Sequence, residues 1–238
     1  MAKKEYIVIG IDPGLSGGIV VFEKNNDTPI VNPIPITTTI VNNKKKNVYD
    51  LEKIVDILKK YKKNVILGIE KQGVRHGEGS VSSFTAGEGY GSLKGIAIAL
   101  GFKVIIIQST SWKKQFTELN NGKMEQLKEE NKKMRVEIKD IKKEIILLKE
   151  NNKNTKDKNI KLQNTKDIKE KNKLIKTKKK ELISNNIKVK HEAKKNSRLL
   201  CQKLYPQLED EFTQVKNDGK ADALLIGLYV KKNLNELV

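Results

Sequence analysis

The chain has 238 residues, with 48 Lys or Arg against 29 Asp or Glu, and this +19 balance predicts a polyanion, nucleic acid first, as partner. Its one cysteine, Cys201, excludes an internal disulfide and a cysteine-built zinc site, which predicts a reducing intracellular compartment that contains DNA. Apolar runs such as Tyr6–Ile11 and Leu224–Val230 are too short to span a bilayer, and no signal peptide is expected, so membrane-spanning and disulfide-stapled secreted classes are excluded.

In chain order, Tyr6–Ile11 reads as a short apolar strand that ends in Asp12-Pro13-Gly14. A Gly17-Gly18 turn then leads into Ile19–Phe22, which predicts a β-hairpin. Ile30–Thr39 is β-branched but carries Pro33 and Pro35, so it is expected as a third strand at an edge. Lys44-Lys45-Lys46 reads as a solvated loop. Asp50 can cap a helix whose Leu51, Ile54, Val55 and Leu58 share one face. Val65–Ile69 is a near-continuous apolar run, the sign of a strand covered on both faces, and Glu70 follows it. A Gly- and Ser-rich loop, Gln72–Ser83, precedes a helix over Phe84–Leu100. Lys103–Ile107 is a further buried strand, and Ser109-Thr110-Ser111-Trp112 opens a short helix with Trp112 in the core. Asn196–Leu204 and Lys220–Leu234 are the last predicted helices. This order predicts an α/β domain with a mixed sheet.

The charge is unevenly spread. Residues 121–195 hold about 25 basic and 12 acidic side chains, so roughly +13 of the total lies there. The chain therefore reads as a globular domain, 1–119 plus 196–238, interrupted by a Lys/Asn-rich helical insertion at 120–195. Within the insertion, Met124, Leu127, Met134, Ile138, Ile141, Ile145 and Leu148 keep heptad spacing, with Asn131 at one seam position. The seam lapses at Asn151-Asn152-Lys153-Asn154, which suits a turn, and returns more weakly through Ile168, Ile175 and Leu182. Two readings stand: a coiled-coil hairpin arm that grips DNA or clasps a dimer, or a low-complexity expansion without a role.

Four acids fall at the ends of predicted elements. Asp12 leaves the first strand, Glu70 leaves a buried strand, and Asp218 and Asp222 lie four apart where the last helix begins, on one face. Each alone has an ordinary explanation: Asp12 as a turn former, Glu70 as a solvated strand end, Asp218 and Asp222 as favourable charges at a helix start. Gathered at one end of a sheet they would repel one another, and hard divalent ions such as Mg²⁺ or Mn²⁺ relieve that repulsion.

Ile9-Gly10-Ile11-Asp12-Pro13-Gly14, Gly68-Ile69-Glu70-Lys71-Gln72 and Asp218-Gly219-Lys220-Ala221-Asp222-Ala223-Leu224 resemble the three acidic motifs of RuvC-like Holliday junction resolvases. The pattern is most similar to the phage RuvC-like members and the chloroplast resolvases of plants. The shared features extend to the glycines around Tyr90, to Ser111-Trp112-Lys113 and to the helix ending Leu204-Tyr205-Pro206. The last two acids are spaced by four, as in the chloroplast enzymes, where bacterial RuvC has three. The insertion has no expected counterpart. The resemblance implies an RNase H-like five-stranded mixed sheet flanked by helices, a homodimer, and paired symmetric nicks in a four-way DNA junction. It also implies that Asp12, Glu70, Asp218 and Asp222 hold two Mg²⁺ or Mn²⁺ ions, in a hydrolysis that leaves 5′-phosphate and 3′-hydroxyl ends.

Lys71, Arg75, His76, Lys113 and Lys114 fall in loops beside the acids and are candidate DNA contacts, or scattered surface bases. Phe84 could stack on a base, although core packing is the plainer expectation. Gly87-Glu88-Gly89-Tyr90-Gly91 lacks the Gly-Lys-Ser/Thr phosphate pattern, so no nucleotide cofactor is expected, and the Phe84–Leu100 helix becomes a candidate dimer surface. Competing functions are an RNase H-like nuclease acting on an RNA–DNA hybrid or on simpler branched DNA, and a protein that binds junctions without cutting. An actin-like ATPase needs two such domains and more residues than the globular part supplies.

Overall fold

The computed structural model describes residues 6–41, 43–73 and 79–237. Two compact units emerge, one of residues 1–119 and 194–238, the other of residues 120–193.

The larger unit is built on five strands: β1 (Ile7–Asp12), β2 (Gly18–Phe22), β3 (Ile30–Pro33), β6 (Val65–Glu70) and β7 (Lys103–Ile107), in the order β3-β2-β1-β6-β7. β1 pairs antiparallel with β2 and β2 with β3, whereas β6 runs parallel to β1 and β7 parallel to β6. The sheet is mixed and five-stranded, as the sequence predicts. Between β3 and β6 lie β4 (Ile36–Val41), β5 (Lys44–Tyr49) and α1 (Leu51–Leu58). After β6 come α2 (Ser80–Ala99), β7 and α3 (Ser109–Gln115). The rest of the unit holds the end of α5 (Lys158–Leu204), then α6 (Asp218–Lys232) and α7 (Leu234–Leu237).

Strand periodicity divides the core. On β1 and β6, Ile9, Ile11, Val65, Leu67 and Ile69 face α1 and α2, packing with Ile54, Leu58, Leu93 and Ala97. The alternate positions, Val8 and Ile66 among them, face α6 and pack with Trp112, Phe212, Leu224 and Ile226. Asp12 and Glu70 continue this second register, so both sit on the α6 side of the sheet.

Helix α6 rests unusually close to that sheet. A Cβ on Gly10 would stand 2.2 Å from the Ala223 carbonyl oxygen and 2.4 Å from Gly227 N, so only glycine fits beneath the helix. A Cβ on Gly219 would meet the Ser16 carbonyl at 2.1 Å, which fixes the start of α6 against the β1–β2 turn. Asp50 caps α1 as expected, its Oδ1 accepting from Lys53 N at 3.1 Å.

Three expectations change. The predicted third strand divides at Ile34-Pro35, and its second half leaves the sheet as β4. The lysine triplet, expected as a loop, forms β5 and pairs with β4 from Ile36↔Tyr49 to Val41↔Lys44, because the Thr-rich β4 offers it a ladder. Leu51 is 43% exposed rather than packed with Ile54 and Leu58.

The smaller unit consists of α4 (Gly122–Asn154) and most of α5, joined through residues 155–157, so the helix runs through the predicted Asn turn before breaking. Met134, Ile138, Ile145 and Ile175 form its core, with Ile141, Ile168 and Leu182 against them. Lys171 pairs with Glu144 and Lys178 with Glu137 across the seam. Asn131 is buried there and donates from Nδ2 to Asn186 Oδ1 at 3.2 Å. Among the described residues of either unit, no helix is long and apolar enough to cross a membrane.

Candidate active site

Asp12 and Glu70 each stand one residue past the paired Ile11 and Ile69, at the C-terminal ends of neighbouring parallel strands. Asp222 reaches the same place from the first turns of α6. Its Oδ1 is closed to solvent and has no hydrogen-bond partner among the described residues. Burial, with the charges of Asp222 and Glu70 beside it, pushes the Asp12 carboxyl from 3.8 up to about 8, while Lys194 and Lys113 pull it down. Burial raises Asp222 as well, against Lys113 and a hydrogen bond from Ser197. Three carboxylates therefore share one electrostatic field.

Glu70 is held in place. Trp112, fully buried, donates from Nε1 to Glu70 Oε2 at 3.0 Å. The loop after Asp12 is held too: the Tyr49 hydroxyl donates to the Pro13 carbonyl at 2.8 Å. Burial and the nearby Asp12 push that phenol up to about 12, so it keeps its proton.

Asp218 is differently placed. It opens α6 and is bound by two cations, with Arg198 Nε 2.9 Å from Oδ1 and Lys194 Nζ 3.5 Å from Oδ2. The structure thus brings Asp12, Glu70 and Asp222 together and gives Asp218 to Arg198.

The donor set suits a hard divalent cation: all oxygens, mutually repelling, one of them without a partner. As they stand, no three His, Cys, Asp or Glu side chains among the described residues already close around one point. The Asp222 oxygen without a partner among the described residues and the buried Asp12 carboxyl, held back from ionising, are what a cation would satisfy.

Of the candidate DNA contacts, Lys71, Lys113 and Lys114 are exposed; Lys71 directly follows Glu70, and Lys113 acts on Asp12 and Asp222, its ammonium 4.8 Å from the centre of the Trp112 ring. Arg75 and His76 lie outside the described residues. Phe84 is 72% exposed on the first turns of α2, so the core-packing expectation is wrong for it. Three functional neighbours escaped the sequence reading: the Trp112 donor, Lys194 and Arg198. Trp112 was legible only as a core residue. Lys194 and Arg198 sit four apart in a lysine-rich helix, with nothing local to mark them.

Compared by sequence, the chain matches no protein-family model and no curated protein. Among solved structures it is similar to T. thermophilus RuvC in complex with Holliday junction substrate, at 14% identity and a TM-score of 0.32, over 46% of this chain and 69% of that one. A second Thermus thermophilus RuvC structure gives 16% identity and a TM-score of 0.29, over 45% and 66% of the two chains. Both likenesses are slight.

Proposed function

We propose that the chain is a metal-dependent endonuclease that resolves four-way DNA junctions by paired nicks. The observation that carries this reading is that Asp12 and Glu70, from adjacent strand ends, interact with Asp222, whose buried Oδ1 has no partner among the described residues. The three acids interact electrostatically, and they match the three acidic motifs in order.

Asp12, Glu70 and Asp222 would hold the divalent ion, Mg²⁺ or Mn²⁺, with Asp218 as the fourth acid of the motif set. When bound, the metal supplies charge neutralisation at the scissile phosphate and a more acidic water. The protein's own part is positioning. Trp112 fixes the rotamer of Glu70, and the close fit of α6 on Gly10 fixes the depth of Asp222. Lys113 and Lys194 place positive charge where a phosphate must approach. In the hydrolysis, water adds to phosphorus and its proton departs. The P–O3′ bond breaks, and the 3′ oxygen takes up a proton, leaving 5′-phosphate and 3′-hydroxyl.

A junction has two-fold symmetry, which a homodimer matches by presenting two sites to strands of like polarity. Helix α2 offers a surface for it: Gly87, Gly91 and Gly95 recur every four residues on its exposed side, with Phe84 and Ile98 on the same side. The helical insertion is read as a coiled-coil arm whose lysines add phosphate contacts.

The test is cleavage of a labelled four-way junction beside linear duplex and an RNA–DNA hybrid. Ligatable, symmetric nicks in the junction alone support the reading. Equal cutting of the hybrid would replace it with a general RNase H-like nuclease, and tight junction binding without cutting would leave a binding protein.

A further inference from the structure

The fourth acid is already neutralised by the protein. Arg198 Nε and Lys194 Nζ approach opposite oxygens of Asp218, at 2.9 Å and 3.5 Å, in a pair whose Asp218 and Arg198 side chains are only 10% and 14% exposed. The Nε–H does not point squarely at Oδ1, so the contact is an ion pair rather than an aligned hydrogen bond. The guanidinium is fixed from its other side, where Nη1 donates to the Thr213 carbonyl at 2.8 Å. Asp222, one turn along the same helix, has no cation of its own within ion-pair distance among the described residues, and its Oδ1 is left without a partner.

Arginine stays charged at every relevant pH and cannot leave by losing a proton. A tethered guanidinium also competes with free ions from a high effective concentration. A hydrated divalent ion, slow to shed its waters, must displace it to reach Asp218. Among the described residues no cation lies within ion-pair distance of Asp12, Glu70 or Asp222, although Lys113 and Lys194 act on Asp12 and Asp222 from further away.

We infer that Arg198 divides the four acids: Asp12, Glu70 and Asp222 take one tightly held divalent ion, and Asp218 is closed to a second ion until Arg198 withdraws. Arg198 is then a positioning residue that sets the metal count of the resting site. The inference rests on the metal-dependent reading above and deepens it.

Counting bound Mn²⁺ by the electron paramagnetic resonance of the free ion tests it, on the full chain without DNA. Surface binding is removed by subtracting the count for Asp222→Asn. The wild type is expected to hold about one ion per chain at this site, and Arg198→Gln about two. Asp218→Asn is expected to keep the tight ion with an affinity within about threefold of wild type. Two ions of equal affinity in the wild type, or a roughly tenfold loss for Asp218→Asn, would overturn the inference while leaving a metal-dependent nuclease. No bound Mn²⁺ at all would remove the metal reading and the inference with it. Should Arg198→Gln fail to fold by circular dichroism, the wild-type and Asp218→Asn counts still decide the matter.

Discussion

The indole of Trp112 donates its one proton to Glu70 across 42 residues of sequence, at 3.0 Å, while the rest of its ring is sealed in the core. One side chain therefore joins the packing of the domain to the orientation of a candidate metal-binding carboxylate.

Replacing Trp112 by Phe keeps an aromatic ring in the core but removes the donor. A hydrogen bond to a charged group contributes about 1.5–3 kcal/mol, so urea unfolding should show a loss of that order or somewhat more. Junction cleavage should fall more than stability does, through kcat rather than KM, because Glu70 loses its orientation and not its charge. An unchanged kcat in a folded variant would assign Trp112 to packing alone.

Asp12 makes the metal-free protein pH-dependent. Its carboxyl is raised from 3.8 to about 8 in the fold, so the native state holds a proton that the unfolded chain releases. That contribution is fully present below the unfolded value and is lost as pH rises through about 8. Thermal melts in EDTA should therefore show wild type losing ground to Asp12→Asn as pH climbs through this window. Adding Mg²⁺ should restore wild type and not the variant. Parallel melting curves across that range would remove the crowded-carboxylate account.

Gly10 tests the seat of α6. A methyl group there meets backbone rather than a yielding side chain, so Gly10→Ala should cost about 2–3 kcal/mol in urea unfolding. It should also weaken Mn²⁺ binding, since the helix that carries Asp222 must lift. Normal metal affinity in this variant would show that the depth of Asp222 does not matter.

How much of this was legible in the sequence follows the range of each interaction. Asp12 and Glu70 could be placed because strand periodicity is local and both residues close an apolar run. Trp112, the partner of Glu70, and Arg198, the partner of Asp218, act across 42 and 20 residues of sequence. No local pattern reports such contacts. Strand β5 was hidden for a different reason: three consecutive lysines oppose strand propensity, and only the pairing with Thr39–Val41 overrides it. The heptad seam was visible because α4 repeats it over several turns, although the helix continues through the polar Asn run to its end at Asn154.

That seam gives its own prediction. Asn131 is buried with its Oδ1 lacking a partner, so Asn131→Leu should stabilise the helix pair, by about 1 kcal/mol or more. A higher melting temperature by far-UV circular dichroism would show it. A lower one would mean that the Asn131–Asn186 contact holds the helices in register.

Asp12, Glu70 and Asp222 are proposed as a metal-dependent centre for cutting branched DNA. The most direct measurement is single-turnover cleavage of a labelled four-way junction by wild type and by Asp222→Asn, each with Mg²⁺ and with EDTA. Paired nicks are expected from the wild type in Mg²⁺ only, with the variant slower by roughly a thousandfold or more yet still binding the junction. Cleavage that persists in EDTA, or an Asp222→Asn protein that cuts at the wild-type rate, would contradict that proposal.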